Sequence, residues 1–299
     1  MNLKRQLKWQ VRKFLVDHYP KMIIDHEWSA EFGHKIDWRS PRDINEKIQW
    51  LICYSDTSEW TRLADKYKVR EFVKERGLGS ILTNLYGVWD DARKIDFDKL
   101  PEKFVLKCNH DSASTIIVDK TKEFNKEQIV SFYQKRLKQK FGYINCEPHY
   151  NKIHPLVIAE EFLHNQKNVE DNKSLIDYKF WCFDGKVDSI CVLYDRTKGS
   201  VKETVYDLDW NPHPEYVESN GHYKRADTII ERPKSFIQML DVAKILSKGF
   251  PEVRVDLYEV DGQVFFGEMT FTSNRGRMHY VESYLNRLGQ YVKLPINVR

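Results

Sequence analysis

The sequence predicts an α+β fold with antiparallel sheet, preceded by a mostly helical N-terminal region. Three observations carry that reading. Apolar residues recur at helical spacing through about residue 77. Short apolar runs then take over, among them KFVLK, TIIV, LVIAEEFL, DYKFWC and DSICVLY. Finally, the strands are followed by one helix and a closing hairpin, an order that favours antiparallel pairing. With 299 residues, 41% apolar and 13% aromatic, the chain has material for one large domain or several small lobes with real cores. The net charge is only +4, a bias too weak to argue for nucleic acid, and no nucleic-acid partner is expected.

The elements follow in order. Leu3, Leu7, Val11, Phe14 and Leu15 fall at helical spacing in a segment that also holds Lys4, Arg5, Lys8, Arg12, Lys13 and Lys21 against Asp17 alone. Residues 1–21 are therefore a basic amphipathic helix of net +5, and the rest of the chain carries −1. Such a helix either packs on the body by its apolar stripe or docks peripherally, on an anionic membrane or a partner enzyme of a biosynthetic complex. Its apolar run is too broken for a signal peptide or a membrane span, so the expected location is cytoplasmic, at most peripheral at the inner membrane face. The five scattered cysteines, Cys53, Cys108, Cys146, Cys182 and Cys191, contain no CxxC and read as reduced thiols.

A helix is expected over Trp60–Arg76, with Gly77 as its stop. Strands at Lys103–Lys107 and Thr115–Val118 are joined by the loop CNHDSAS. Asn125 caps a helix through Ile129, Tyr133, Leu137 and Phe141 that ends at Gly142. Strands then run over Leu156–Leu163, Asp177–Cys182 and Asp188–Tyr194, with Asp184-Gly185 as a turn. Pro233 opens a helix closed by Gly249, ahead of the hairpin VRVDLYEVDGQVFFGEMT. The corresponding regions are 1–77, helical; 78–154, a small lobe; and 155–299, a larger one.

That hairpin carries charges where an apolar run is expected. Arg254, Asp256 and Tyr258 share one strand face, and Glu268 and Thr270 share another. A bulged Asp261-Gly262-Gln263 turn sets Asp256 opposite Glu268 and Arg254 opposite Thr270, and keeps Val255 paired with Met269. Two facing carboxylates repel unless a proton or cation lies between them, and hard oxygen ligands of this kind suit magnesium. An Arg254–Asp256 or Arg254–Glu268 ion pair bracing the sheet is the other arrangement. Lys107 ends an apolar strand ahead of the small residues Ser112, Ala113 and Ser114, a loop whose backbone can approach a polyphosphate. The histidines contain no HExxH, so a zinc hydrolase is not expected.

The strand-end lysine with its small-residue loop, then VIAEEFL, DYKFWCFDGKV and VRVDLYEVDGQVFFGEMT, resembles the ATP-grasp superfamily. Together with SPRDINEKIQWL and LADKYKVREFV, the chain is similar to the branch associated with teichuronopeptide and capsular polysaccharide synthesis. The resemblance implies two α+β lobes sandwiching ATP. Lys107 would contact the α- and β-phosphates, Ser112, Ala113 and Ser114 would form a flap, and Lys66 would precede it. Glu160 and the backbone of Glu161, Phe162 and Leu163 would read adenine. Lys179 would reach the γ-phosphate, Asp256, Glu268 and Thr270 would serve magnesium, and Arg254 would steady the transferring phosphoryl group. Thr270 stands where the family pattern has Asn, and the flap lacks glycine. The activity implied is an ATP-dependent ligase that activates a small-molecule or glycan carboxylate and joins it to an amine, with a uronic acid as acceptor. Arg275 and Arg277, with Tyr280, are candidates to hold that acid. Two alternatives are a metal-dependent glycosyltransferase using Asp207-Leu208-Asp209 and a non-catalytic nucleotide-binding relative.

Overall fold

The computed structural model describes residues 3–164, 174–226 and 228–295, the side chain of Leu3 lying outside the described ones. Helices open the chain: α1 (Leu3–His18), α2 (Pro20–Phe32), α3 (Ile44–Tyr54), α4 (Ser58–Ala64) and α5 (Val69–Glu75). The helix expected over Trp60–Arg76 is thus two. Asp65 breaks it: its carboxylate accepts the N–H groups of Tyr67 at 2.9 Å and Lys68 at 3.2 Å, and the side-chain amide of Asn109 at 2.8 Å. An Asp that can cap the next turn competes with continuous helix.

Next come β1 (Leu85–Trp89), β2 (Lys103–Cys108), β3 (Ile116–Asp119), α6 (Lys126–Leu137), α7 (Phe141–Asn145), α8 (Pro148–Asn151) and β4 (Val157–Glu161). Asn125 caps α6 as expected, accepting from Gln128 N–H at 2.9 Å. The helix ends at Leu137, short of the expected Gly142, and the chain turns before α7. The four strands form an antiparallel sheet in the order β1-β4-β2-β3. β4, read from the sequence as the start of the larger lobe, therefore pairs inside the smaller sheet. It lies between β1 and β2 because Val157, Ile158 and Ala159 are buried, as a central strand requires.

The second sheet holds β5 (Asp177–Phe183), β6 (Lys186–Tyr194), β7 (Val201–Tyr206), β8 (Pro212–His213), β9 (Tyr223–Arg225), β10 (Val253–Val260) and β11 (Gln263–Thr270). Its order is β11-β10-β5-β6-β7-β8, with β9 added parallel to β7. α9 (Phe236–Ser247) packs on β5, β6 and β10, and α10 (Glu282–Tyr291) packs on α3. The N-terminal helices share the larger sheet's core: Trp28, Ile48 and Leu51 join Phe180, Val255 and Leu288 in one apolar cluster. A separate cluster around Phe104, Leu106 and Tyr133 fills the smaller sheet.

The register of β10 and β11 is the one expected, with Asp256 opposite Glu268, Arg254 opposite Thr270 and Val255 opposite Met269. The extra residue sits elsewhere than expected. Asp261 and Gly262, at φ 50° and 86°, make a two-residue turn, so Val260 pairs with Gln263. Both positive angles suit a tight hairpin turn. The slip occurs at Gly267, bulged between Phe266 and Glu268.

Candidate functional site

Alternation along three adjacent strands brings the charges to one face. Lys179 of β5 is registered with Asp256 of β10, which is registered with Glu268 of β11. Lys179 Nζ donates to Asp256 Oδ2. Arg254 forks onto the same carboxylate, Nε to Oδ1 at 2.7 Å and Nη2 to Oδ2 at 2.8 Å. Its Nη2 also reaches Glu268 Oε1 at 3.3 Å and Thr270 Oγ1 at 3.2 Å, and Nη1 reaches Ser273 at 3.1 Å. Thr270 Oγ1 in turn donates to Glu268 Oε1 at 3.1 Å. Asp177, two residues before Lys179, accepts from Arg196 at 2.6 Å.

The break between α4 and α5 completes this cluster. Because Asp65 ends α4, Lys66 leaves the helix line: its N–H donates to Asn109 O at 3.1 Å and its Nζ to Asp111 O at 2.6 Å. The same Nζ stands 3.9 Å from Glu268 Oε2. Lys66 thus touches both the loop after β2 and the larger sheet's carboxylate pair.

Opposed cations set the protonation of these groups. Burial pushes Glu268 up, but Lys66, Lys179 and Arg254, with the Thr270 hydroxyl, hold its carboxyl down at about 2. Burial disfavours the charge on Lys179, yet Asp256 and Asp177 raise its pKa above that of an ordinary lysine. Burial also pushes Asp177 up, and Lys179 and Arg196 bring it below its usual value. The face therefore presents Glu268 and Asp177 as carboxylates beside charged Lys179 and Arg254. Hard oxygen donors at Asp256 and Glu268 suit a divalent cation that takes its other ligands from water or phosphate. Among the described residues no group of three or more His, Cys, Asp and Glu side chains converges as a metal cage.

A second cluster lies in the smaller sheet. Lys107 Nζ pairs with Glu160 Oε2 at 2.5 Å, and Arg70 Nη1 pairs with Glu160 Oε1 at 3.0 Å. Arg70 also donates to Thr83 O at 2.5 Å. The Glu160 carboxylate, expected to read a base, is buried and spent on holding two cations. Glu161 is likewise engaged: its N–H donates to Asn84 O at 3.0 Å, and its Oε2 accepts from the Asn84 backbone and side chain at 3.1 and 2.9 Å. Phe162 and Leu163 follow just beyond the paired residues of β4, with Lys103 Nζ 4.2 Å from the Phe162 ring centre.

The loop after β2 divides its small residues. Ser114 is buried, its hydroxyl accepting from Cys108 N–H at 2.9 Å and donating to Asp111 at 2.5 Å. It anchors the loop base, contrary to the expected role in a moving flap. Ser112 and Ala113 are exposed, and their carbonyls accept from Arg136 Nη2 at 2.9 and 2.8 Å. Arg136 on α6 thereby fixes which way this backbone faces. Ala113 takes φ 58°, a left-handed conformation that here occurs without glycine.

Arg277 does not join the site. It is 4% exposed and pairs with Glu27 at 2.5 Å and Glu31 at 3.2 Å on α2. Burial with two acidic partners makes it a brace between the chain termini, unlike the expected anion contact. Arg275 is half-buried at φ 62°, with its carbonyl taken by Gln49 Nε2 at 2.6 Å. The Tyr280 hydroxyl donates to Glu203 at 2.6 Å. Asp207 closes its own turn, accepting from the N–H groups of Asp209 at 3.0 Å and Asn211 at 2.8 Å. His149 is buried edge-on to Trp60, and burial pushes its ring down to about 3, neutral and apolar in effect.

Sequence reasoning missed Arg70, Asp177, Arg196 and Arg136. Arg70 lies four residues past Lys66, and Asp177 shares the Lys179 face by alternation, so both had a local signal. Arg136 had none, because its partners lie 23 and 24 residues away.

Residues 46–293 match the family described as TupA-like ATPgrasp. Among solved structures, D-alanine–D-alanine ligase from Bacillus anthracis is similar at 15% identity and a TM-score of 0.45, over 80% of this chain and 69% of that one. L-amino acid ligase from Bacillus licheniformis is matched at 13% identity and a TM-score of 0.43, over 85% of this chain and 55% of that one. The ATP-grasp ligase PsnB, solved with precursor peptide PsnA2 and AMPPNP, is matched at 12% identity and a TM-score of 0.39, over 94% of this chain and 73% of that one. No curated protein matches the chain.

Proposed function

The chain belongs to the TupA-like ATP-grasp family, and from that premise we propose that it is an ADP-forming carboxylate–amine ligase. In this reading it uses ATP and magnesium to join an amino acid or small amine to a uronic acid carboxylate during bacterial surface polysaccharide synthesis in the cytoplasm. The observation that supports it most is the facing Asp256–Glu268 pair set among Lys66, Lys179 and Arg254. When bound, magnesium-ATP supplies a γ-phosphoryl group to the carboxylate, and an amine then displaces phosphate to leave an amide.

The chain's own residues divide the remaining work. Asp256 and Glu268 would hold the metal, which would take over Asp256 oxygens that Lys179 and Arg254 occupy in its absence. Lys179 and Arg254 carry fixed positive charge where the phosphoryl group transfers, and Lys66 links that charge to the loop above. Lys107, oriented by Glu160, would meet the inner phosphates. The exposed Ser112–Ala113 backbone, turned by Arg136, would cover them. Phe162 and Leu163, free of the sheet, offer backbone groups for the purine edge. Arg275 remains a candidate for the acid substrate. No protein nucleophile is required, because alignment and charge neutralisation carry the chemistry. A nucleotide-sugar transferase acting through Asp207 and Asp209 has no support in the geometry, since Asp207 is spent on its turn.

The test is ADP release by the purified chain with uronic acids and amino acids offered singly and in pairs. Release that requires both partners is expected. Turnover indifferent to either, or a response to UDP-sugars alone, would overturn the ligase reading, and ATP binding without any turnover would mark a non-catalytic relative.

A further inference from the structure

We infer that α1 docks the protein on an anionic membrane surface through an apolar stripe that faces away from the body. The helix is fixed by its opposite side. Val16 is buried, and Trp9 meets Tyr143 edge-on at 6.3 Å. Arg12 donates to the carbonyls of Tyr143 at 2.6 Å and Ile144 at 2.7 Å, and pairs with Glu27 at 2.7 Å. At 3.6 residues per turn, Leu7, Val11 and Phe14 line the face opposite Val16 and Trp9. They are 66%, 50% and 55% exposed, and Tyr19, 53% exposed, continues the patch with its ring 6.0 Å from that of Phe14.

An isolated exposed leucine needs no explanation, but an aligned stripe beside clustered cations has a specific match. Lys4 and Lys8 stand one turn apart on the flank of this stripe, whereas Arg5 and Lys13 lie toward the body, where they line a cleft with Trp9, Arg12, Lys138 and Lys140. Residues 1–21 carry a net +5 against −1 for the rest of the chain. A second copy on this stripe would bring two such segments together at a like-charge cost. Acyl chains under an acidic headgroup layer satisfy both features at once: the apolar side chains enter the interface and the cations meet the headgroups. Among the described residues no helix is long and apolar enough to cross a membrane, so the contact is with the surface. This inference does not rest on the ligase reading.

Flotation of the full chain with lipid vesicles tests it. The chain should float with phosphatidylcholine–phosphatidylglycerol vesicles, remain behind with phosphatidylcholine alone, and be released by salt. Leu7→Ser/Val11→Ser/Phe14→Ser and Lys4→Glu/Lys8→Glu should each lower partitioning about tenfold or more with an unchanged melting temperature. Failure to float, equal flotation on both vesicle types, or an unaffected triple variant would overturn the proposal. So would a concentration-dependent dimer that the triple variant abolishes, since a second copy would then cover the stripe.

Discussion

Gly267 lies so close to Asp256 that a β-carbon added to the glycine would stand 2.9 Å from the Asp256 carbonyl oxygen and 3.0 Å from the Tyr258 ring. This bulged residue is what turns Glu268 onto the face of Asp256, and without it the two carboxylates would point to opposite sides of the sheet. Gly267→Ala should cost about 1–3 kcal/mol through overpacking against backbone. It should also weaken nucleotide binding more than Gly267 itself could explain by contact. Chemical denaturation with nucleotide titration checks this; unchanged stability and binding would mean that the bulge tolerates a side chain.

Glu147 offers a prediction in pH. Its carboxyl is buried at the start of α8, where it accepts from the Thr272 hydroxyl just past β11. Burial raises it from 4.5 to about 7, against the opposing hydrogen bonds and the charges of Arg275 and Arg277. A group raised in the folded state contributes stability that is complete below its unfolded value and lost as pH rises through the folded one. The chain should therefore lose stability between about pH 4.5 and 7, up to roughly 3 kcal/mol from this group. Glu147→Gln should flatten that slope and be the more stable form at pH 8. Identical pH profiles for the two proteins would contradict the assignment.

Arg277 is predicted to act on stability and not on substrate. Arg277→Ala leaves Glu27 and Glu31 without their shared cation and should cost about 3 kcal/mol. After correction for the folded fraction, KM for the acid should not move. A raised KM at unchanged stability would restore Arg277 to the substrate site.

The sequence was most informative where a periodicity acts over few residues. Alternation placed Arg254 and Asp256 on one face, and the demand for Val255 to meet Met269 set the register before any coordinates. The same reasoning put the extra residue in the turn, because a glycine beside an Asp reads as a turn wherever it occurs. Gly267, a lone glycine within a strand, was the better signal for a bulge. Lys66 was legible as a lysine beside an Asp, but its position depends on Asp65 turning the chain toward Asn109, 44 residues away. Glu160, Arg136 and Arg277 were misread or missed for a related reason. Each is decided by partners from another element, and composition near the residue does not record them. The outward stripe of α1 shows the opposite limit: helical spacing identified the stripe, while Trp9, Arg12 and Val16 decided which side meets the body.

The most direct test of the central claim, that Asp256 and Glu268 hold magnesium for a bound triphosphate, is thermal unfolding with and without magnesium-ATP. Binding to the folded chain alone raises its melting temperature by mass action. Magnesium-ATP should stabilise the parent chain by several degrees at saturating nucleotide, ATP with EDTA much less, and Asp256→Asn/Glu268→Gln should abolish the magnesium-dependent part. A magnesium-ATP shift of equal size in the double variant, or none in the parent, would contradict the claim.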